Sequence, residues 1–280
     1  MFDAQKSRRW NPIRKRPLFL PVAVIFAVVA GCRFEGPASQ TGAVNRQVSV
    51  AAAADLKFAL DEISREFGKR NKGIRVNVAY GSSGNFYSQL QNQAPFDVFL
   101  SADTEYPRKL SEQGLILPGT EFPYAVGRLA VWVAAGSPIE VQKLGINALK
   151  HPSVNHIALA NPRHAPYGRA AEAAMRSLGV YDSVKLKLVF GENVAQALQF
   201  VQSGSAEIGI VALSLAISPT VREQGRFWEI PLDSYPRLEQ GGVILKWAKD
   251  ADAARMFRGF LTNPEGRAIF KKYGFMLTGE

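Results

Sequence analysis

The sequence predicts an α/β protein of two lobes, each a mostly parallel sheet with flanking helices, with a cleft between the lobes. Two observations lead there. From Val48 onward, short apolar runs alternate with stretches of helical periodicity, the mark of repeated βα winding. After Leu129–Ala134 the alternation starts afresh, which implies a second such unit. Size agrees with this. A chain of 280 residues, 47% apolar and 21% charged, can bury one large or two medium cores.

Residues 48–53 read as a buried strand. Leu56, Ala59, Leu60, Ile63 and Phe67 then recur at helical spacing, with Lys57, Asp61, Arg65 and Glu66 on the opposite face. Gly73 ends that unit, and residues 74–80 alternate as a strand. Gly81-Ser82-Ser83-Gly84 turns tightly into a short helix carrying Phe86, Tyr87 and Leu90. Residues 96–100 are a strand and 105–113 a helix. In the second unit the expected strands are 129–134, 157–160, 186–190 and 208–211. Its helices carry Ala170, Ala174 and Leu178, stopped by Gly179, and span 193–203. Residues 242–247 form a last strand, followed by two helices with Asn263-Pro264 between them. Phe86, Phe96, Phe99, Trp132 and Phe190 fall at core positions of these periods.

The first residues are an address. Lys6, Arg8, Arg9, Arg14, Lys15 and Arg16 against Asp3 place half of the formal net charge of +10 within residues 1–31. They precede an apolar stretch ending in small residues, the pattern of a secretory signal. That stretch, about 15 residues with two prolines, is short of the roughly 20 that a membrane span needs. Val29-Ala30-Gly31-Cys32 resembles the lipobox of bacterial lipoproteins, which implies lipidation at Cys32. The expected organisation is a signal peptide at 1–31, a flexible tether at 32–46, a first lobe at 48–128, a second lobe at 129–234, and a return to the first lobe at 235–280. The chain is expected to be exported, to the periplasm or the cell surface.

What remains of the charge is mild, so no nucleic-acid partner is expected. The single cysteine excludes an intrachain disulfide and a Cys-rich zinc site. His151, His156 and His164 are a thin basis for a metal centre.

Four strand-to-helix junctions are built of small or neutral polar residues: Ala53-Ala54-Asp55-Leu56, Gly81-Ser82-Ser83-Gly84, Ala165-Pro166-Tyr167-Gly168 and Glu192-Asn193-Val194. A helix start leaves up to four backbone N–H groups without partners and carries roughly half a positive charge. Such ends bind anions. Asn193 and Gln196 stand at capping-box spacing, which would aim the Val194 N–H outward. Gly81 and Gly84 let backbone approach a ligand, and Ser82 and Ser83 can donate hydroxyl protons. Each turn alone is an ordinary cap; together they point to an anion or small polar ligand.

At these residues the chain resembles the periplasmic molybdate-binding proteins of ABC transporters, type II periplasmic binding proteins. The likeness runs from Val48 to Phe275. It rests on VAAAADL (50–56), YGSSGNFY (80–87), NQAPFDVFLSAD (92–103), FPYAVG (122–127), NPRHAPYG (161–168), GIVAL (209–213) and KYGF (272–275). The resemblance implies a monomer, not an enzyme and without a cofactor, that closes on molybdate or tungstate and delivers it to an ABC permease. It implies a cage of neutral donors. Ser83 would give its hydroxyl, Tyr167 its side chain or backbone, and Val194 its backbone N–H, with Asn193 holding that helix end. Ala54 and Asp55 occupy the position where members place Ser, Thr or Asn.

Two departures stand out. A carboxylate at Asp55 beside a dianion is repulsive by about 1 kcal/mol or more. It would have to turn inward as a cap or carry a proton. Ala212 stands where some members have a ligand-contacting tyrosine, a contact Tyr167 could replace. The alternatives are a binder of another oxyanion such as sulfate or phosphate and, more remotely, a serine hydrolase built from Ser82 or Ser83 with His164 and Asp97 or Asp103. No G-x-S-x-G elbow supports the latter. A ferric-ion site would need clustered tyrosines, and Tyr80, Tyr87 and Tyr167 fall in different junctions.

Overall fold

The computed structural model describes residues 46–280. The signal segment, Cys32 and nearly all of the tether lie outside the described residues. The first part runs β1 (Arg46–Ala53), α1 (Lys57–Arg70), β2 (Ile74–Gly81), α2 (Ser83–Gln91), β3 (Val98–Ser101), α3 (Glu105–Glu112) and β4 (Phe122–Gly127). Next come β5 (Leu129–Ala134), α4 (Val141–Leu144), β6 (Ile157–Ala160), α5 (Pro166–Ser177), α6 (Tyr181–Val184), β7 (Leu188–Gly191), α7 (Val194–Gln202), β8 (Ile208–Ala212), α8 (Leu213–Ala216) and β9 (Gly225–Glu229). The chain ends with β10 (Leu238–Ile244), α9 (Ala251–Thr262) and α10 (Pro264–Lys272).

The described strands form two five-stranded sheets, ordered β2-β1-β3-β10-β4 and β7-β6-β8-β5-β9. In the first, only β10 runs against the others; in the second, only β5 does. Each sheet with its helices is one lobe.

Burial on both faces explains why the first sheet was visible as apolar runs. Val48, Val50 and Ala52 of β1 face Leu56, Leu60, Ile63 and Phe67, whereas Ala51 faces Phe86, Leu90 and Phe99. Strand alternation sends neighbours to opposite layers, so a strand covered on both sides is apolar throughout. Phe67 is then clamped edge-on by Phe257 and Phe260, with ring centroids 5.2 and 5.7 Å away. The C-terminal helices thus complete the first lobe's core.

Some expectations are corrected. β10 begins at Leu238, not 242, because polar Glu239 and Gln240 mask it, and it stops at Ile244. Beyond it, Leu245 N–H turns to Asp97 and Lys246 N–H to Leu115. Leu186 lies in a 3-10 turn and is 97% exposed, so the strand starts at Leu188. Phe190 is no core residue either; it is half-exposed on β7, an edge strand with one neighbour. β4 and β9 complete the two sheets at their edges.

Two crossings join the sheets: Arg128 between β4 and β5, and residues 230–237 between β9 and β10. They are tied together. Arg128 pairs with Glu229, Ile230 N–H donates to Leu129 C=O at 3.0 Å, and Leu129 N–H donates to the Tyr235 hydroxyl at 3.1 Å.

Candidate functional site

In each sheet, neighbouring strands end in register at one edge. Ala53 of β1 lies beside Gly81 of β2, and Ala160 of β6 beside Gly191 of β7. Parallel strands must place their carboxyl ends together, and ligands of such sheets sit in the crevice outside those ends. All four junctions open there onto one small cavity. Its walls are Ala53, Ala54 and Asp55; Gly81, Ser82 and Ser83; Ala102; Ala165, Pro166 and Tyr167; and Asn193 and Val194. The seven residues singled out in the sequence as anion-site candidates are therefore brought together. The lining contains no lysine or arginine.

The local structure of each junction decides what it offers. Ala54–Leu56 is a 3-10 turn that leads into α1. Ser82 caps α2, its hydroxyl accepting from Asn85 N–H. The same hydroxyl lies 2.9 Å from His164 Nδ1, so it is engaged on two sides. Ser83 differs. Its Oγ accepts from Ala102 N–H at 3.0 Å, which leaves the hydroxyl proton free to donate. α5 starts with Pro166 in the first turn, where its missing N–H costs nothing. Asn193 caps α7 by accepting from Ala195 and Gln196 N–H. The expected capping box is shifted by one residue: Gln196 Oε1 accepts from Glu192 N–H, not from Asn193. Ala54, Ser83, Tyr167 and Val194 keep backbone N–H groups that take no partner among the described residues.

Asp55 is buried at 1% exposure. Its Oδ2 accepts from Gln240 Nε2 at 2.6 Å and from the Tyr167 hydroxyl at 3.1 Å. Burial pushes its pKa up to about 6, against the lowering pull of Gln240, Tyr167 and its own backbone N–H. The same burial, with Asp55 adjacent, pushes the Tyr167 hydroxyl well above its ordinary range, so it stays a neutral donor. The Tyr167 side chain is thus spent on Asp55, and its N–H remains.

Around the cavity the two lobes are in direct contact. Gly84 N–H donates to His164 C=O at 2.8 Å, and a Cβ on Gly84 would lie 2.5 Å from that oxygen. Glu192 accepts from Asn85 Nδ2 at 2.8 Å and from Ser82 N–H at 3.3 Å. Arg169 pairs with Asp103 at 2.7 Å, and Ser214 Oγ donates to Asp55 C=O at 2.8 Å.

Sequence reasoning assigned no role to Gln240, Glu192 or Ala102. A lone glutamine in a Glu-Gln-Gly-Gly run carries no pattern, and Glu192 looks like any helix-flanking acid. The sequence also gave no tie between Ser82 and His164, which the fold brings together. The acids offered for a triad lie elsewhere: Asp97 accepts from Ser49 and Lys249 N–H, and Asp103 holds Arg169. Ala212 is fully buried at the start of α8 and does not line the cavity.

Comparison with known proteins agrees with this geometry. Residues 48–276 match the family model for bacterial extracellular solute-binding proteins. The molybdate-binding protein ModA of Rhodobacter capsulatus is 40% identical over 230 residues, covering 82% of this chain and 88% of that protein. The ModA of Azotobacter vinelandii is 40% identical over 231 residues, covering 82% and 90%. The solved structure of the Azotobacter vinelandii periplasmic molybdate-binding protein superposes with a TM-score of 0.75 at 34% identity, covering 82% of this chain and 99% of that one. The chain belongs to the bacterial extracellular solute-binding proteins and, within them, to the group of the ModA proteins.

Proposed function

We propose that this chain is the extracytoplasmic binding component of an ABC transporter, capturing molybdate, and tungstate with it, for delivery to a permease. One observation carries the reading: four helix or turn starts, two from each lobe, converge on one small cavity lined without lysine or arginine. The names of the ModA relatives point to the same ligand. In this reading the backbone N–H groups of Ala54, Ser83, Tyr167 and Val194 and the Ser83 hydroxyl hold the four oxygens of the anion. Ser82 and Asn193 keep two of the helix starts in place, and Asp55 forms part of the wall. Neutral donors suit a cargo that must leave again, because no buried cation is stranded when the cavity empties. A ligand bridging both lobes stabilises the closed form by its differential affinity for that form. The permease would read closure.

The assembly that fits is a monomer with lobes at 48–128 plus 235–280 and at 129–234, exported by the signal segment and tethered through lipid on Cys32. Calorimetric titration of the mature chain with molybdate, tungstate, sulfate and phosphate tests the ligand. Molybdate and tungstate are expected to bind at least a hundredfold more tightly than the other two. Equal or absent heats for molybdate and sulfate would overturn the assignment.

A further inference from the structure

At the cavity wall, one corner of the structure is short of a hydrogen. Asp55 Oδ2 already takes two donors, Gln240 Nε2 and the Tyr167 hydroxyl. The other carboxyl oxygen, Asp55 Oδ1, and the other end of the same amide, Gln240 Oε1, are both buried and both lack a partner among the described residues. Two acceptors cannot satisfy one another, and stranded buried acceptors are rare in folded proteins. They belong, however, to two groups already joined at one point. A single proton on Oδ1, donated to Oε1, would close the pair into a ring of two parallel hydrogen bonds. Turning the Gln240 amide over leads to the same place. Oε1 would then face Oδ2, and only a proton could join two such oxygens.

We propose that in the closed molecule Asp55 is a neutral carboxylic acid paired with Gln240, so that capture of the oxyanion takes one proton from solvent. The proposal rests on the oxyanion reading and deepens it. A neutral Asp55 removes the repulsion that a carboxylate would exert on a dianion in the adjoining cavity.

The charges around this corner are engaged with partners of their own, Arg128 of the β4–β5 crossing with Glu229 among them. From α5 comes Tyr167, from β4 Tyr124, and from the crossing Tyr235, all neutral phenols raised by burial. On α1, Lys57 stands over the Phe58 and Tyr80 rings, and Tyr80 of β2 donates to Asp61. α7 and α8 carry no titratable side chain, and on β10 the neighbouring Glu239 is exposed. Asp103 is held by Arg169, while Glu192 and His164 bind Ser82 at the lobe contact. Burial already favours the protonated acid, and an adjacent dianion favours it further.

Titration with molybdate at pH 7 in buffers of different ionisation enthalpy reads the proton directly. Uptake of roughly 0.5 to 1 proton per anion is expected, with affinity falling up to about tenfold per pH unit on the alkaline side. In Asp55→Asn the uptake and the alkaline loss should vanish, and the variant should bind more tightly than the parent at pH 8.5. The uptake should persist in His164→Gln, which separates Asp55 from the nearby imidazole. Infrared difference spectra of the loaded protein should show a protonated carboxyl band that Asp55→Asn lacks. Heat of binding independent of buffer, or a band unchanged by the substitution, would overturn the proposal alone. Absence of heat with every oxyanion would overturn it together with the oxyanion reading.

Discussion

Asp55 shows how burial alone retunes one side chain at the cavity wall. Burial raises its pKa from 3.8 to about 6 in the folded chain. A carboxyl whose folded pKa lies above its unfolded one contributes stability that is fully present below the unfolded value. That contribution is lost as pH rises from about 4 through about 6, because the ionised form is the poorly solvated one. A shift of about two pH units corresponds to about 3 kcal/mol. Asp55→Asn should therefore stabilise the protein more at pH 8 than at pH 4.5, by about 2 kcal/mol, because about a third of the loss is already complete at pH 4.5. Thermal unfolding of both proteins at both pH values checks this; an equal shift at the two would refute it. The presence of Asp55 was plain in the sequence, but its partners were not. Tyr167 is 112 residues away and Gln240 is 185, and no local pattern reports a contact over such a distance.

Among the elements, the helix starts matter most. Asn193 holds the first turn of α7 by accepting two backbone N–H groups at 3.0 Å, which keeps the Val194 N–H at the cavity wall. Asn193→Ala should cost about 1 kcal/mol of stability and weaken oxyanion binding by a larger fold than that loss of stability implies. Denaturant melts alongside calorimetry separate the two effects; unchanged affinity would remove α7 from the site. These starts were legible from sequence because caps are local chemistry: Ser82, Pro166 and Asn193 sit at or beside the first turn that their side chains favour. Strands covered on both faces were legible for a similar reason. The edges were not. Phe122–Gly127 is interrupted by Pro123, and Gly225–Glu229 is only half-buried and mixes Arg226 and Glu229 with its aromatics. An edge strand has one hydrogen-bonded neighbour and part of a face in water, so its composition carries less of the apolar signal.

For the whole molecule, the decisive property is how closely the lobes meet. Gly84 lies where a methyl group would stand 2.5 Å from the His164 carbonyl oxygen and 2.7 Å from the Tyr106 hydroxyl. Alanine suits a helix better than glycine does, but in Gly84→Ala the Tyr106 hydroxyl of the same lobe must shift as well, so a modest loss of stability should accompany the propping apart of the lobes. Oxyanion affinity should fall at least tenfold, and small-angle scattering should show no contraction on adding molybdate. Contraction equal to the parent's would show that the contact yields. Closure itself could not be read from the chain, since it depends on surfaces 80 residues apart fitting together in space. What could be read was that two successive α/β units would present their strand ends to one gap.

The bridge from Gly84 N–H to His164 C=O has a consequence for how this protein can change over generations. Both atoms belong to the peptide backbone, so nearly any side chain may replace His164 without removing the clasp. At Gly84 the tolerance is nil, because the clasp needs an absence: the smallest possible carbon branch is already too much. As far as this clasp is concerned, drift is tolerated on one jaw and forbidden on the other.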